Sequence, residues 1–224
     1  MSATHPNHVP ALGWLQRELQ HVQAVETEHR VEDFVVSRAV LEQMGLKAPK
    51  AEEEVLVVEE RDELSVAVYL APRVLDALHR AGRNLGGLFH RHFPTLCLAI
   101  EGVSHFVYLT SRASIRRPVS LLELEVQAEI DKFALSALHL WRAGRRHEVP
   151  GLLERLFDRV HYLPHLDPEA LERYRTANRL ARGYCRELLR YVEEGRVEPL
   201  LAELRRSYHL GAGEKYSRLH RSLH

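Results

Sequence analysis

Cysteine is nearly absent. Cys97 and Cys185 are the only two in 224 residues, too few for a disulfide scaffold and without the spacing of a zinc site. Both fall in apolar helical patterns, so they read as buried, inert thiols. Long hydrophobic runs are also missing. The longest, Leu96–Leu109, is short for a bilayer and is interrupted by Glu101 and His105, so no membrane partner is expected. The first residues, Met1 to His8, have neither the basic start nor the apolar core of a signal peptide, which points to the cytoplasm. No excess of one charge exists: 31 basic residues balance 31 acidic ones, which removes any general pull toward nucleic acid or membrane. Glycine-rich phosphate loops, nucleophile elbows, dinucleotide fingerprints and internal repeats are all lacking.

What is present is the composition of a globular protein, with 45% hydrophobic residues. No linker-like stretch divides the chain, so one domain is expected over residues 1–210, followed by a polar, flexible tail over 211–224. The pattern is mainly α. Leu12, Leu15, Leu19 and Val22 set a helical stripe over about 10–29, and a second helix is expected from Val31 to Met44, ending at Gly45. Val55–Glu60 and Leu64–Leu70 are β-rich runs around a short polar turn and predict one small hairpin over about 55–70. Pro72 opens a helix that fades at Gly82. Gly86 and Gly87 mark a break, and His90 and His92 flanking Arg91 read as a solvated loop.

The firmest boundary is at Ser120. Ser120 and Glu123 form a capping box, with Val119 and Leu124 as its hydrophobic staple. Residues Leu122 to Asp131 alternate like a strand, but this cap, the length to Ala143 and the stop at Gly144 decide for helix. Asp167-Pro168-Glu169 starts another helix that reaches about Glu194, and Val197–Tyr208 is the last.

Two helices are apolar almost all the way round and therefore belong inside, Leu96–Leu109 and Leu121–Trp141. The short connection between them predicts an antiparallel pair, over about 95–143, at the centre of the fold. Each carries polar residues on its apolar surface. Glu101, Ser104, His105 and Tyr108 share one side of the first. On the second, Glu125, Glu129, Lys132, Ser136 and His139 fill a stripe about 80° wide at 100° per residue, read as a solvated face or the wall of a cleft. Gln127 and Asp131 lie outside that stripe, in the apolar arc.

Antiparallel packing brings Glu101, His105, Gln127 and Asp131 to one patch, with Tyr108 alongside. Three readings follow. The leading one is a structural network, because buried polar groups are hydrogen-bonded. The second is a divalent metal site for zinc, iron or manganese, with Glu101, His105 and Asp131 as ligands and Glu129 nearby; its Glu-x-x-x-His spacing departs from the Glu-x-x-His of di-iron bundles. The third is acid–base catalysis by paired carboxylates with His105 as relay.

Charge is asymmetric along the chain. Ala51–Glu63 is acidic with Arg61 its one base, whereas the C-terminal part is basic. Arg175, Arg179, Arg182, Arg186 and Arg190 recur at helical spacing and form a stripe. It reads first as a solvated or docked face, and as an alternative it follows the phosphates of a nucleic acid. The function expected from sequence is thus an accessory or interaction protein with another protein as partner. A metal-dependent hydrolase or oxidoreductase and a nucleic-acid-binding module are the alternatives.

Overall fold

The computed structural model describes residues 9–47, 49–60, 63–82, 86–164 and 166–223. It is mainly helical with one small three-stranded sheet, the expected class. The chain divides into two compact units, residues 1–20 with 26–117 and residues 21–25 with 118–224.

In the first unit, helix α1 (Pro10–Gln23) starts on a proline and buries Leu12, Leu15 and Leu19; its residues from His21 onward count with the second unit. It ends earlier than its periodicity suggests, just before Ala24 at φ 51°. The helix expected over Val31–Met44 is broken into three pieces: a 3-10 turn (Val31–Phe34), strand β1 (Val35–Val36) and helix α2 (Arg38–Gln43). The β-branched pair Val35 and Val36 lies parallel to Val68 and Tyr69, so sheet pairing overrides helical periodicity here. Ser37, in extended backbone, then caps α2 by accepting the Val40 N–H at 3.3 Å.

The expected hairpin is present as β2 (Glu53–Glu60) and β3 (Glu63–Leu70), antiparallel from Glu53↔Leu70 to Glu60↔Glu63. The sheet order is β1-β3-β2. Helix α3 (Pro72–Ala81) stops at Gly82 with φ 56°, where a left-handed backbone suits glycine. Helix α4 (Gly86–Arg91) takes in His90 and Arg91, which sequence assigned to a loop. Helix α5 (Phe93–Ala113) lies across β2 and β3, with α3 and α4 beside it. By length and composition α5 is apolar enough to cross a bilayer, and 72% of its apolar window is buried inside the protein. Gly102, in the middle of this bulky helix, permits close approach: a Cβ there would lie 3.3 Å from both Glu53 Cγ and Leu70 Cδ2.

In the second unit, helix α6 (Leu121–Arg142) begins with the predicted capping box, Glu123 N–H on Ser120 Oγ and Ser120 N–H on Glu123 Oε2, each 3.2 Å. A short α7 (Pro150–Leu153) runs into a π turn (Glu154–Asp158). Helix α8 (Pro168–Glu193) is capped by Asp167, which accepts the Ala170 N–H at 2.8 Å. It is the main partner of α6 and buries Ala177, Ala181, Cys185, Leu188 and Val192 along one seam. Helix α9 (Val197–His209) and helix α10 (Ala212–Arg221) pack on α8.

Within the first unit α5 packs on the hairpin, and within the second α6 packs on α8. One expectation changes. The flexible tail is instead α10, in which Lys215 and Leu219 are both 0% exposed. Its end passes Gly183, where a Cβ would meet the Ser222 carbonyl oxygen at 2.9 Å.

Candidate functional site

Glu101 and His105, one turn apart on α5, place ligand-type atoms within 4.8 Å of each other. His105 is buried and its Nδ1 lies 3.2 Å from Glu53 Oε1, with both side chains 7% exposed. Glu53 is the first residue of β2, and it reaches the imidazole by lying against the bare Cα of Gly102. A carboxylate this buried is stable only with a hydrogen-bonding or charged partner, and the imidazole supplies one. When Nδ1 carries the proton shared with Glu53, Nε2 is the unprotonated ring nitrogen, the arrangement that carboxylate–histidine pairs use to present a metal ligand. Glu101 is partly exposed, so the group is not sealed from solvent.

Gln127 and Asp131 sit in the second unit in a different chemical setting. Asp131 Oδ1 accepts from Gln127 Nε2 at 3.0 Å and from Gln23 Nε2 at 2.5 Å. Gln127 Oε1 accepts from Lys215 Nζ at 2.7 Å. The Gln127 amide therefore lies between an ammonium and a carboxylate with its dipole aligned to both, which fixes its orientation and strengthens each bond. Lys215 also lies 5.8 Å from the Tyr208 ring centroid. Further bonds hold this network to the α1 end: His209 Nε2 meets Gln23 O at 3.1 Å, and Arg205 donates to His21 O and Val22 O.

The stripe read as a solvated face or cleft wall is largely buried. Glu125, Lys132 and Ser136 are buried, and Lys132 Nζ meets Glu129 Oε1 at 2.7 Å with 9% and 20% side-chain exposure. Arg173 Nε lies 3.9 Å from Glu125 Oε1. Burial raises the Tyr162 hydroxyl, Glu129 adds to the rise and Arg175 opposes it. Burial pushes the Cys185 thiol well up, with Glu129 and Asp131 adding to the effect, as expected of an inert thiol.

Tyr108 is fully buried and receives a 3.4 Å contact from Arg112 Nη2, whose guanidinium also lies over its ring at 4.7 Å. Of the arginine stripe, Arg182 forms a two-pronged bond to Asp158, Arg186 reaches Ser222 O at 3.5 Å, and Arg190 stacks on and donates to Tyr191. Sequence reasoning missed Glu53, Gln23 and Lys215. The signal for Glu53 was Gly102, a glycine amid bulky helical residues, which marks close backbone approach. For Lys215 it was Leu219 four residues on, a short amphipathic repeat after Gly211.

No family model, curated protein or solved structure matches the chain.

Proposed function

We propose that the chain binds a divalent metal ion, zinc, iron or manganese, through Glu101 and His105 Nε2, with Glu53 as the partner that orients the imidazole. The observation that carries this is the Glu53–His105 contact at 3.2 Å beside the Glu101 carboxylate. Mixed carboxylate and imidazole donors suit these three metals. Two side-chain ligands leave coordination positions for water or a substrate, as catalytic sites require. The ion would then supply Lewis acidity and a water of lowered pKa, the chemistry of a metal-dependent hydrolase. Asp131 leaves the ligand set, because two amides already hold it. The test is elemental analysis of protein purified without chelator. Near-stoichiometric metal is expected, lost in His105→Ala, while Glu53→Gln weakens affinity by about 10- to 100-fold, as outer partners of ligands do. Undiminished metal in His105→Ala, or no uptake on reconstitution with any of the three ions, overturns the reading.

A second reading, an interaction protein with a purely structural polar core, is favoured by the second unit, where Lys215 donates to Gln127, and Gln127 and Gln23 donate to Asp131.

A further inference from the structure

Strand β1 is two residues long, whereas its neighbour β3 has eight. It cannot extend back along β3 because the residues before it form the 3-10 turn Val31–Phe34. The ladder shows what this leaves open. Ala71 N–H donates to Glu52 O at 2.7 Å, just beyond the Glu53↔Leu70 pair, so residues 52 and 71 are a hydrogen-bonded pair. Antiparallel ladders alternate in twos, so Tyr69, Ala67 and Ser65 bond toward β2, and Val68 and Val66 turn their N–H and C=O to the opposite edge. Val68 meets Val35 of β1 there. Among the described residues no strand lies opposite Val66.

A cavity of about 600 Å³ borders this stretch of β3, with Val66, Phe34 and Thr110 among the residues that line it together with the exposed Glu26, Glu28 and His29. The walls are fixed. Phe34 packs on Phe106 with ring centroids 5.0 Å apart and on His29 at 5.6 Å. Gln16 clamps the rim by donating to His29 O at 2.7 Å and accepting the Val31 N–H at 2.8 Å. Glu26 and Glu28 are exposed, and among the described residues neither has a basic partner. An open strand edge beside a preformed cleft is the geometry of strand addition, in which main-chain bonds give affinity and side-chain pockets give selectivity.

We propose that this cleft takes an extended segment of a partner protein, added to β3 in line with β1, carrying lysine or arginine to meet Glu26 and Glu28. The choice of a basic segment rests on charge complementarity with that rim. It is independent of the metal reading.

The test uses the intact protein and a fluorescein-labelled pentapeptide of alternating lysine and valine, followed by anisotropy. Saturable binding is expected, weakened by salt. The Glu26→Lys/Glu28→Lys variant, whose changes are at exposed positions, should bind about tenfold more weakly or worse, since like charges now meet. The same peptide N-methylated at alternate residues keeps its charge and loses strand pairing, so it should not bind, and a glutamate–valine peptide should not bind either. Equal binding of the N-methylated peptide, wild-type affinity of the charge-reversed variant, or no saturable binding overturns the proposal. So does a concentration-dependent dimer abolished by the same charge reversal, which would make the occupant a second copy of the chain.

Discussion

Each unit buries a polar cluster beneath a helix, and the two clusters are built from opposite materials. In the second unit, amides and an ammonium point their protons at oxygen: Gln23 and Gln127 donate to Asp131, and Lys215 donates to Gln127. In the first, a carboxylate, an imidazole and a further carboxylate gather, a set rich in lone pairs. The cluster of the second unit sets amide and ammonium donors against oxygen acceptors, the pattern of a stabilising network. The cluster of the first unit gathers carboxylate and imidazole groups, the donor types that the proposed metal site would use. The contrast teaches that burial of polar residues does not by itself mark a site; the kinds of group gathered there do.

That comparison breaks first at Asp131. Asp131→Ala leaves two buried amides, Gln23 and Gln127, without their common acceptor, at about 1–3 kcal/mol for each unsatisfied group. Asp131→Asn keeps the shape and should cost less. Chemical denaturation of both variants checks the order, and an unaltered midpoint for Asp131→Ala would remove the structural role.

Lys215→Met comes next. It keeps the apolar stem but leaves Gln127 Oε1 buried without its donor, which costs about 1–3 kcal/mol. Loss of stability in thermal melts, with increased protease cleavage near Gly211, is the expected result, since α10 depends on that bond. Gly102→Ala should act on the first unit by roughly 1 kcal/mol. The gain in helix propensity is outweighed by crowding of Glu53 and Leu70, both 3.3 Å from the new methyl. Its clearer readout is weaker metal binding, because Glu53 must shift.

The smallest effect concerns pH. Burial alone would raise the Glu187 carboxyl, but hydrogen bonds from Arg218 and Ser222 and the Arg218 charge together hold it below its usual value, with Arg218 Nη2 at 2.8 Å. A lowered carboxyl stabilises the fold above its unfolded pKa, about 4.3, and that contribution disappears as pH falls through the folded value. Arg218→Gln should therefore reduce stability at neutral pH and flatten its decline below about pH 4.3, read from melts across pH 3 to 7.

Much of this was legible locally. The α6 start follows from Ser120 and Glu123, the α8 start from Asp167 and Pro168, and the hairpin from β-branched runs, because each signal acts within a few residues. The four polar residues on α5 and α6 were legible as misfits on apolar helices. Their partners were not, since Glu53 precedes His105 by 52 residues and Gln23 precedes Asp131 by 108. Strand β1 was hidden because Val35 and Val36 fit a helix until β3 supplies its edge, and α10 was hidden because its polar composition conceals a fully buried lysine.

The central claim, chemistry in the first cluster and stability in the second, is tested most directly by cobalt(II) titration of Glu101→Gln and Asp131→Asn, read by visible absorption. The account predicts stoichiometric cobalt uptake in wild type and in Asp131→Asn, and loss of uptake in Glu101→Gln with its fold intact. Uptake preserved in Glu101→Gln but lost in folded Asp131→Asn would contradict it.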